Sequence, residues 1–141
     1  MTAPILFRTQ RRVEFCDTDV AGIVHFANFF RFMEAAEHEF LRSRGLSVML
    51  EWEGEKLGFP RVSATMDYVK PARFEEVIDI AVSIERLGTK SITYAVDFSR
   101  EGERIATGSL TCVCCRVPGY TGDLTSVPIP AGIRARLEST G

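Results

Sequence analysis

The sequence predicts an α+β domain in which one long helix packs against a curved, mostly antiparallel sheet of five strands. Changes in hydrophobic period carry that prediction. Residues 5–15 place Ile5, Phe7, Val13 and Phe15 at even offsets, as in a strand with a polar middle. From residue 26 the period becomes helical, with Phe26, Phe29, Phe30, Met33, Ala36, Phe40 and Leu41 recurring at offsets of three and four. Beyond Pro60 the alternation returns in three or four segments separated by turn signals. Such a sheet has one face to bury, and the helix stripe is the surface available to cover it.

The elements follow in order. The helix is expected over about 25–43, with Gly45 as its terminator. Glu34, Glu37 and Glu39 flank the apolar stripe, where a solvated face is expected. Residues 46–57 read as a short helical turn. Val62, Ala64, Met66 and Tyr68 then alternate until Lys70-Pro71 punctuates the run, and Ile78, Ile80, Val82 and Ile84 alternate again. Gly88-Thr89 turns that strand into one carrying Ile92, Tyr94, Val96 and Phe98, and Glu101-Gly102-Glu103 turns the next into Ile105–Val117. Pro118, Gly119, Gly122, Pro128, Pro130 and Gly132 make 118–141 a partly irregular tail, with a short helix around Ala131–Leu137. Residues 1–141 are read as one domain.

Composition narrows the function classes. A hydrophobic share of 45% with 26% charged residues is ordinary globular usage, and the formal net charge of −2 gives no electrostatic reason to expect nucleic acid. No apolar run approaches the ~20 residues needed to span a bilayer. Met1-Thr2-Ala3-Pro4 opens without a signal peptide's basic start and long apolar body, so a cytoplasmic location is the default expectation. The four cysteines are expected as buried thiols: Cys16 stands alone, and Cys112, Cys114 and Cys115 crowd one strand without metal-ligand spacing. Two isolated histidines add no metal site. The chain has no dinucleotide or phosphate-loop glycine pattern and no Gly-x-Ser-x-Gly elbow.

The link between first strand and helix carries most of the chemistry. It reads Phe15-Cys16-Asp17-Thr18-Asp19-Val20-Ala21-Gly22-Ile23-Val24-His25-Phe26-Ala27-Asn28. A carboxylate beside the unpaired N–H groups of a helix start can attack or take a proton while the N–H groups receive charge developing on a carbonyl oxygen. Spacing alone suits Asp19 equally as a reacting carboxylate and as an Asx-turn or cap. Asp17 fits better as a loop brace or the partner of a base. Gly22 permits a tight turn or a close backbone approach. His25 is a candidate for substrate contact or proton handling, against a plain helix-start or interface role. Asn28 could brace the loop or bind a ligand. Glu34 and Glu37, three apart, could share acid and base roles, although exposed helix carboxylates are commoner. His38 fits a solvated or interfacial ring, and the stripe Phe26/Phe29/Phe30/Met33/Phe40 fits packing on the sheet.

Asp17-Thr18-Asp19-Val20-Ala21-Gly22-Ile23-Val24-His25-Phe26-Ala27-Asn28, continued by Phe29-Phe30-Arg31-Phe32-Met33-Glu34-Ala35-Ala36, resembles the hotdog-fold acyl-CoA thioesterases. It is most similar to the 4-hydroxybenzoyl-CoA thioesterase group, and the likeness covers roughly residues 5–118. The resemblance implies that Asp19 is the catalytic carboxylate and that the Phe26 backbone N–H polarises the thioester carbonyl. It also implies a homodimer or homotetramer with active sites between subunits and coenzyme A along their surface. Lys90 resembles the basic hairpin position of relatives, and Arg86, Arg100, Arg104 and Arg116 are the other cations near predicted strand ends. Gly22, His25, Asn28 and Lys90 are thus the substrate-binding candidates. The implied reaction hydrolyses an aromatic or short-chain acyl-CoA to acid and coenzyme A, with Asp19 as nucleophile or general base. It requires no cofactor or metal. Two alternatives remain. In a hydratase or dehydratase on a similar fold, Asp19 and His25 would pair, although Val20-Ala21 departs from that family's Asp-x-Asn-Pro-x-His pattern. A non-catalytic acyl-CoA-binding protein is the other.

Overall fold

The computed structural model describes residues 3–119 and 122–140; the expectations for residues 1, 2, 120, 121 and 141 lie outside them. Strand β1 (Ile5–Arg12) is followed by a 3-10 turn at Phe15–Asp17 and helix α1 (Asn28–Ser43). Next come β2 (Met49–Trp52), β3 (Glu55–Gly58), β4 (Arg61–Tyr68), β5 (Val77–Leu87), β6 (Ser91–Arg100) and β7 (Glu103–Val113). Two short strands, β8 (Cys115–Arg116) and β9 (Thr125–Ser126), precede helix α2 (Ala131–Glu138).

The main sheet is antiparallel, in the order β1-β5-β6-β7-β4. Its inner face carries Ile78, Ile80, Val82, Ile92, Tyr94, Val96, Phe98, Leu110 and Cys112, all buried, as the alternation predicts. Helix α1 lays Phe29, Phe32, Met33, Ala36, Phe40 and Leu41 onto that face. Full burial of each phenylalanine contributes about 1.5–3 kcal/mol, so α1 is held by packing more than by its caps. Its N-cap, Ala27, makes no side-chain capping bond.

Several expectations need correction. The first strand ends at Arg12, because the chain turns at Phe15–Asp17. Helix α1 starts at Asn28, preceded by a turn closed by Asn28 N–H to His25 O (2.9 Å) and Phe29 N–H to Phe26 O (3.3 Å). Residues 46–57 contain no helical turn: β2 and β3 form a hairpin about Glu53 (φ 49°) and Gly54 (φ 82°), a two-residue turn whose positive φ pair matches strand twist. The predicted strand Ile105–Val117 is divided, with β7 ending at Val113 and β8 joining the small sheet β2-β3-β8-β9. The short tail helix forms, and Ile129, Ile133 and Leu137 enter the core. Cys16 is exposed; the other three thiols are buried. Phe26 leaves the core stripe altogether and is 63% exposed.

Candidate active site

The link folds back on itself. Asp19 N–H donates to Ile23 O (2.9 Å), His25 N–H donates to Asp17 O (2.9 Å), and Thr18 bridges Val24. Gly22 closes the reversal through its N–H to Asp19 O (2.9 Å) and carries φ 79°, which a side chain would strain. Val24 N–H donates to Ala72 O (2.8 Å), and Ile23 bridges Arg73, tying the loop to the segment before β5.

The two aspartates divide the work. Asp17 is 6% exposed; its Oδ2 accepts Glu14 N–H (2.8 Å) and its Oδ1 lies 3.9 Å from Arg11 Nη2. The Asp17 carbonyl also accepts Asn28 Nδ2–H (2.8 Å), so the Asn28 amide braces the loop to the helix start. Asp19 is exposed. Its Oδ1 accepts Ala21 N–H (2.8 Å), an Asx turn, whereas Oδ2 has no hydrogen-bond partner among the described residues. One oxygen is therefore engaged by the backbone, and the other is left without a partner among the described residues.

Beyond the reversal, His25 Nδ1 accepts Ala27 N–H (3.1 Å), which places the ring proton on the outward Nε2 when the imidazole is neutral. The imidazole stacks on Phe26, with centroids 4.7 Å apart. Neighbouring N–H groups of the turn all find acceptors, yet the Phe26 N–H has none among the described residues. It is an unused donor two residues ahead of α1, where the helix dipole favours negative charge. Tyr68, at the end of β4, donates its Oη–H to Phe26 O (2.8 Å). Sequence reasoning named Tyr68 only as part of a strand alternation.

The loop thus brings together Asp19, Gly22, His25, Phe26 and Asn28. Lys90 stands apart, exposed on the β5–β6 hairpin. Among the described residues, Arg86 and Lys90 make no side-chain ion pair, whereas Arg100 pairs with Glu76, Arg104 with Asp97 and Arg116 with Glu55. Of these five cations, the two without an ion pair therefore flank one hairpin.

A second polar cluster lies deeper. Glu37, expected on a solvated face, is 1% exposed, and both its carboxylate oxygens accept from the Arg61 guanidinium. Arg61 also lies 3.4 Å from His38 Nε2, 3.5 Å from Glu34 Oε2 and 3.2 Å from Cys112 Sγ. Desolvation works against the guanidinium's charge, but Glu37 more than offsets it and raises the Arg61 pKa. Burial, and then the Glu37 charge, push the Cys112 thiol up to about 12. The correction to Glu37 is one of pairing: a buried carboxylate is tolerated because β4 delivers a bidentate partner opposite it. A groove of about 220 Å³ beside this pair is lined by Phe30, Arg31, Met33, Glu34, Arg61, Ala64 and Leu110. A separate cleft of about 680 Å³ runs along β1, β5 and β6 and touches none of the loop residues.

Comparison with known proteins identifies the family. Residues 21–107 match the family described as the thioesterase superfamily. A 1,4-dihydroxy-2-naphthoyl-CoA hydrolase of Thermosynechococcus vestitus is 30% identical over 132 residues, 92% of this chain and 87% of that one. A 4-hydroxybenzoyl-CoA thioesterase of Pseudomonas sp. (strain CBS-3) is 33% identical over 93 residues, 64% of this chain and 66% of that one. Among solved structures, a gentisyl-coenzyme A thioesterase superposes with a TM-score of 0.80 at 33% identity, over 93% of this chain and 99% of that one. With its long helix wrapped by a five-stranded antiparallel sheet, the chain belongs to the thioesterase superfamily and is a thioester hydrolase of the hotdog fold.

Proposed function

We propose that the protein hydrolyses aryl-coenzyme A thioesters to the free acid and coenzyme A, with Asp19 as the reacting carboxylate and the Phe26 N–H as oxyanion donor. The observation that carries this is the joint state of one loop: among the described residues, a carboxylate oxygen with no partner and a backbone N–H with no acceptor. The carbonyl oxygen of the thioester hydrogen-bonds the Phe26 N–H, and Asp19 Oδ2 either attacks the carbonyl carbon or takes a proton from attacking water. In either route charge builds on the carbonyl oxygen before coenzyme A thiolate leaves. Removal of one such donor typically costs ~10²–10³ in kcat.

The aryl preference is supported by the names of three relatives, whose substrates are naphthoyl, hydroxybenzoyl and gentisyl thioesters. Exposed Phe26 and Tyr68, with ring centroids 6.4 Å apart, offer an aromatic surface beside the donor. Arg86 and Lys90 are proposed to meet the coenzyme's phosphates. Edge strand β4 leaves Val62, Tyr68 and nearby Val69 exposed, which fits a homodimer formed over that edge. No helix among the described residues is long and apolar enough to cross a membrane, and a cytoplasmic location is proposed.

The test is thiol release by the purified protein across benzoyl-, hydroxybenzoyl-, short-chain and long-chain acyl-CoA. Aryl thioesters should show the highest kcat/KM. Hydration of an enoyl-CoA without thiol release would replace hydrolysis by hydratase chemistry, and saturable binding without turnover would leave a binding protein.

A further inference from the structure

We infer that Tyr68 is a positioning residue for the oxyanion donor: its hydroxyl fixes the turn that presents the Phe26 N–H. The inference rests on the reading of that N–H as the donor. Within the turn, the Asn28 and Phe30 N–H groups bond carbonyls three residues back at 2.9 and 3.1 Å. The corresponding bond from Phe29 to the Phe26 carbonyl is long, 3.3 Å. That carbonyl is instead held at 2.8 Å by Tyr68 Oη–H, which arrives from β4. The Phe26–Ala27 peptide is therefore pinned at both ends, by Tyr68 on its oxygen and by His25 Nδ1 on its N–H. Rotation about the Phe26 backbone would swing the preceding N–H, and this peptide restrains that rotation from the downstream side.

The ring of Tyr68 has a separate task. It stands edge-on to Phe26 and to Phe29, with centroids 6.4 and 5.7 Å apart. Loss of the hydroxyl alone leaves those contacts in place. Partial desolvation raises the phenol's pKa, so the hydroxyl stays a donor across ordinary assay conditions. A donor misplaced by a fraction of an ångström loses part of its effect in the transition state while ground-state binding changes little.

The test is a cycle of Tyr68→Phe and Phe26→Pro, with Phe26→Ala to separate loss of the ring from loss of the N–H. Each is assayed by thiol release on the best aryl-CoA of the panel. Tyr68→Phe should lower kcat about 10-fold with KM within about twofold and an unchanged melting temperature. Phe26→Pro should lower kcat ~10²-fold or more beyond Phe26→Ala. In the proline background Tyr68→Phe should cost nothing further, because the N–H it positions is gone; a merely structural hydroxyl would give the same loss in both backgrounds. If Phe26→Pro collapses turnover but Tyr68→Phe leaves kcat intact, the donor stands and the role of Tyr68 falls. If Phe26→Pro turns over like Phe26→Ala, the donor reading falls and this inference with it.

Discussion

Removing Arg61 should harm this protein far more than removing Glu37, although the two form one ion pair. Glu37 is 1% exposed, so its charge has no route to water once Arg61 is gone; of its remaining neighbours, Cys112 Sγ at 3.7 Å is a weak donor and His38 Nε2, also at 3.7 Å, is beyond hydrogen-bond reach. The Arg61 side chain is 27% exposed and keeps Glu34 at 3.5 Å and the Phe59 carbonyl at 3.3 Å. Two unit charges about 4 Å apart attract by roughly 4 kcal/mol at an effective dielectric constant near 20. A stranded buried charge costs about 3–5 kcal/mol in practice. Arg61→Met should therefore cost about 3–5 kcal/mol and Glu37→Met about 1–2 kcal/mol. The double variant should recover most of the loss, because two apolar side chains of similar length can fill the site. Urea unfolding at fixed protein concentration reads all three. Equal costs for the two single variants, or a double variant that is simply additive, would refute the reasoning.

Three further outcomes follow from the thiols and from the sheet edge. With Cys16 exposed and the others buried, native protein at pH 8 should react quickly with a thiol reagent at one cysteine per chain, and at four after unfolding; two or more fast thiols in the folded protein would contradict the burial. Burial pushes Cys114 to about 11 as well as Cys112 to about 12, so these thiols stay neutral in the fold while the unfolded chain ionises near 9. Their contribution is complete below that value and is lost as pH rises toward 11–12, by roughly 1.4 kcal/mol per pH unit for each thiol. Unfolding free energies measured from pH 8 to 11 should fall along that limb, and less steeply in Cys112→Ala. Light scattering should find a species of twice the chain mass, or a multiple of it, and Val62→Lys on the exposed β4 edge should shift it toward monomer; a wild-type monomer at micromolar concentration would remove the proposed dimer.

Much of the fold was legible in local pattern, because period and turn chemistry are local. Strands β4 to β6 and the body of helix α1 stand where strict alternation and three- and four-residue recurrence put them, whereas the helix begins later and the last long strand ends earlier than the pattern suggested. The β2–β3 hairpin was not legible: Glu53-Gly54 is a weak turn signal, and Met49–Trp52 does not alternate clearly. Glu37 carried a readable hint, since it sits four residues after Met33 and four before Leu41, on the buried stripe itself. Its partner lies on another element, and no spacing rule reports that. The same holds for Tyr68 and Phe26. At Asp19 the Asx turn that spacing allowed is present on one oxygen, and the other has no hydrogen-bond partner among the described residues. Phe26 kept the helical period yet points to solvent, because the chain has not yet entered α1.

The most direct measurement is thiol release from benzoyl-CoA by Asp19→Asn beside the wild-type protein. Asparagine preserves the Oδ1 bond to Ala21 N–H and the loop's shape, so folding and KM should change little. The reacting carboxylate is lost, and kcat should fall by about 10³-fold or more. A folded Asp19→Asn protein that keeps wild-type kcat would contradict the assignment of Asp19 as the group that reacts.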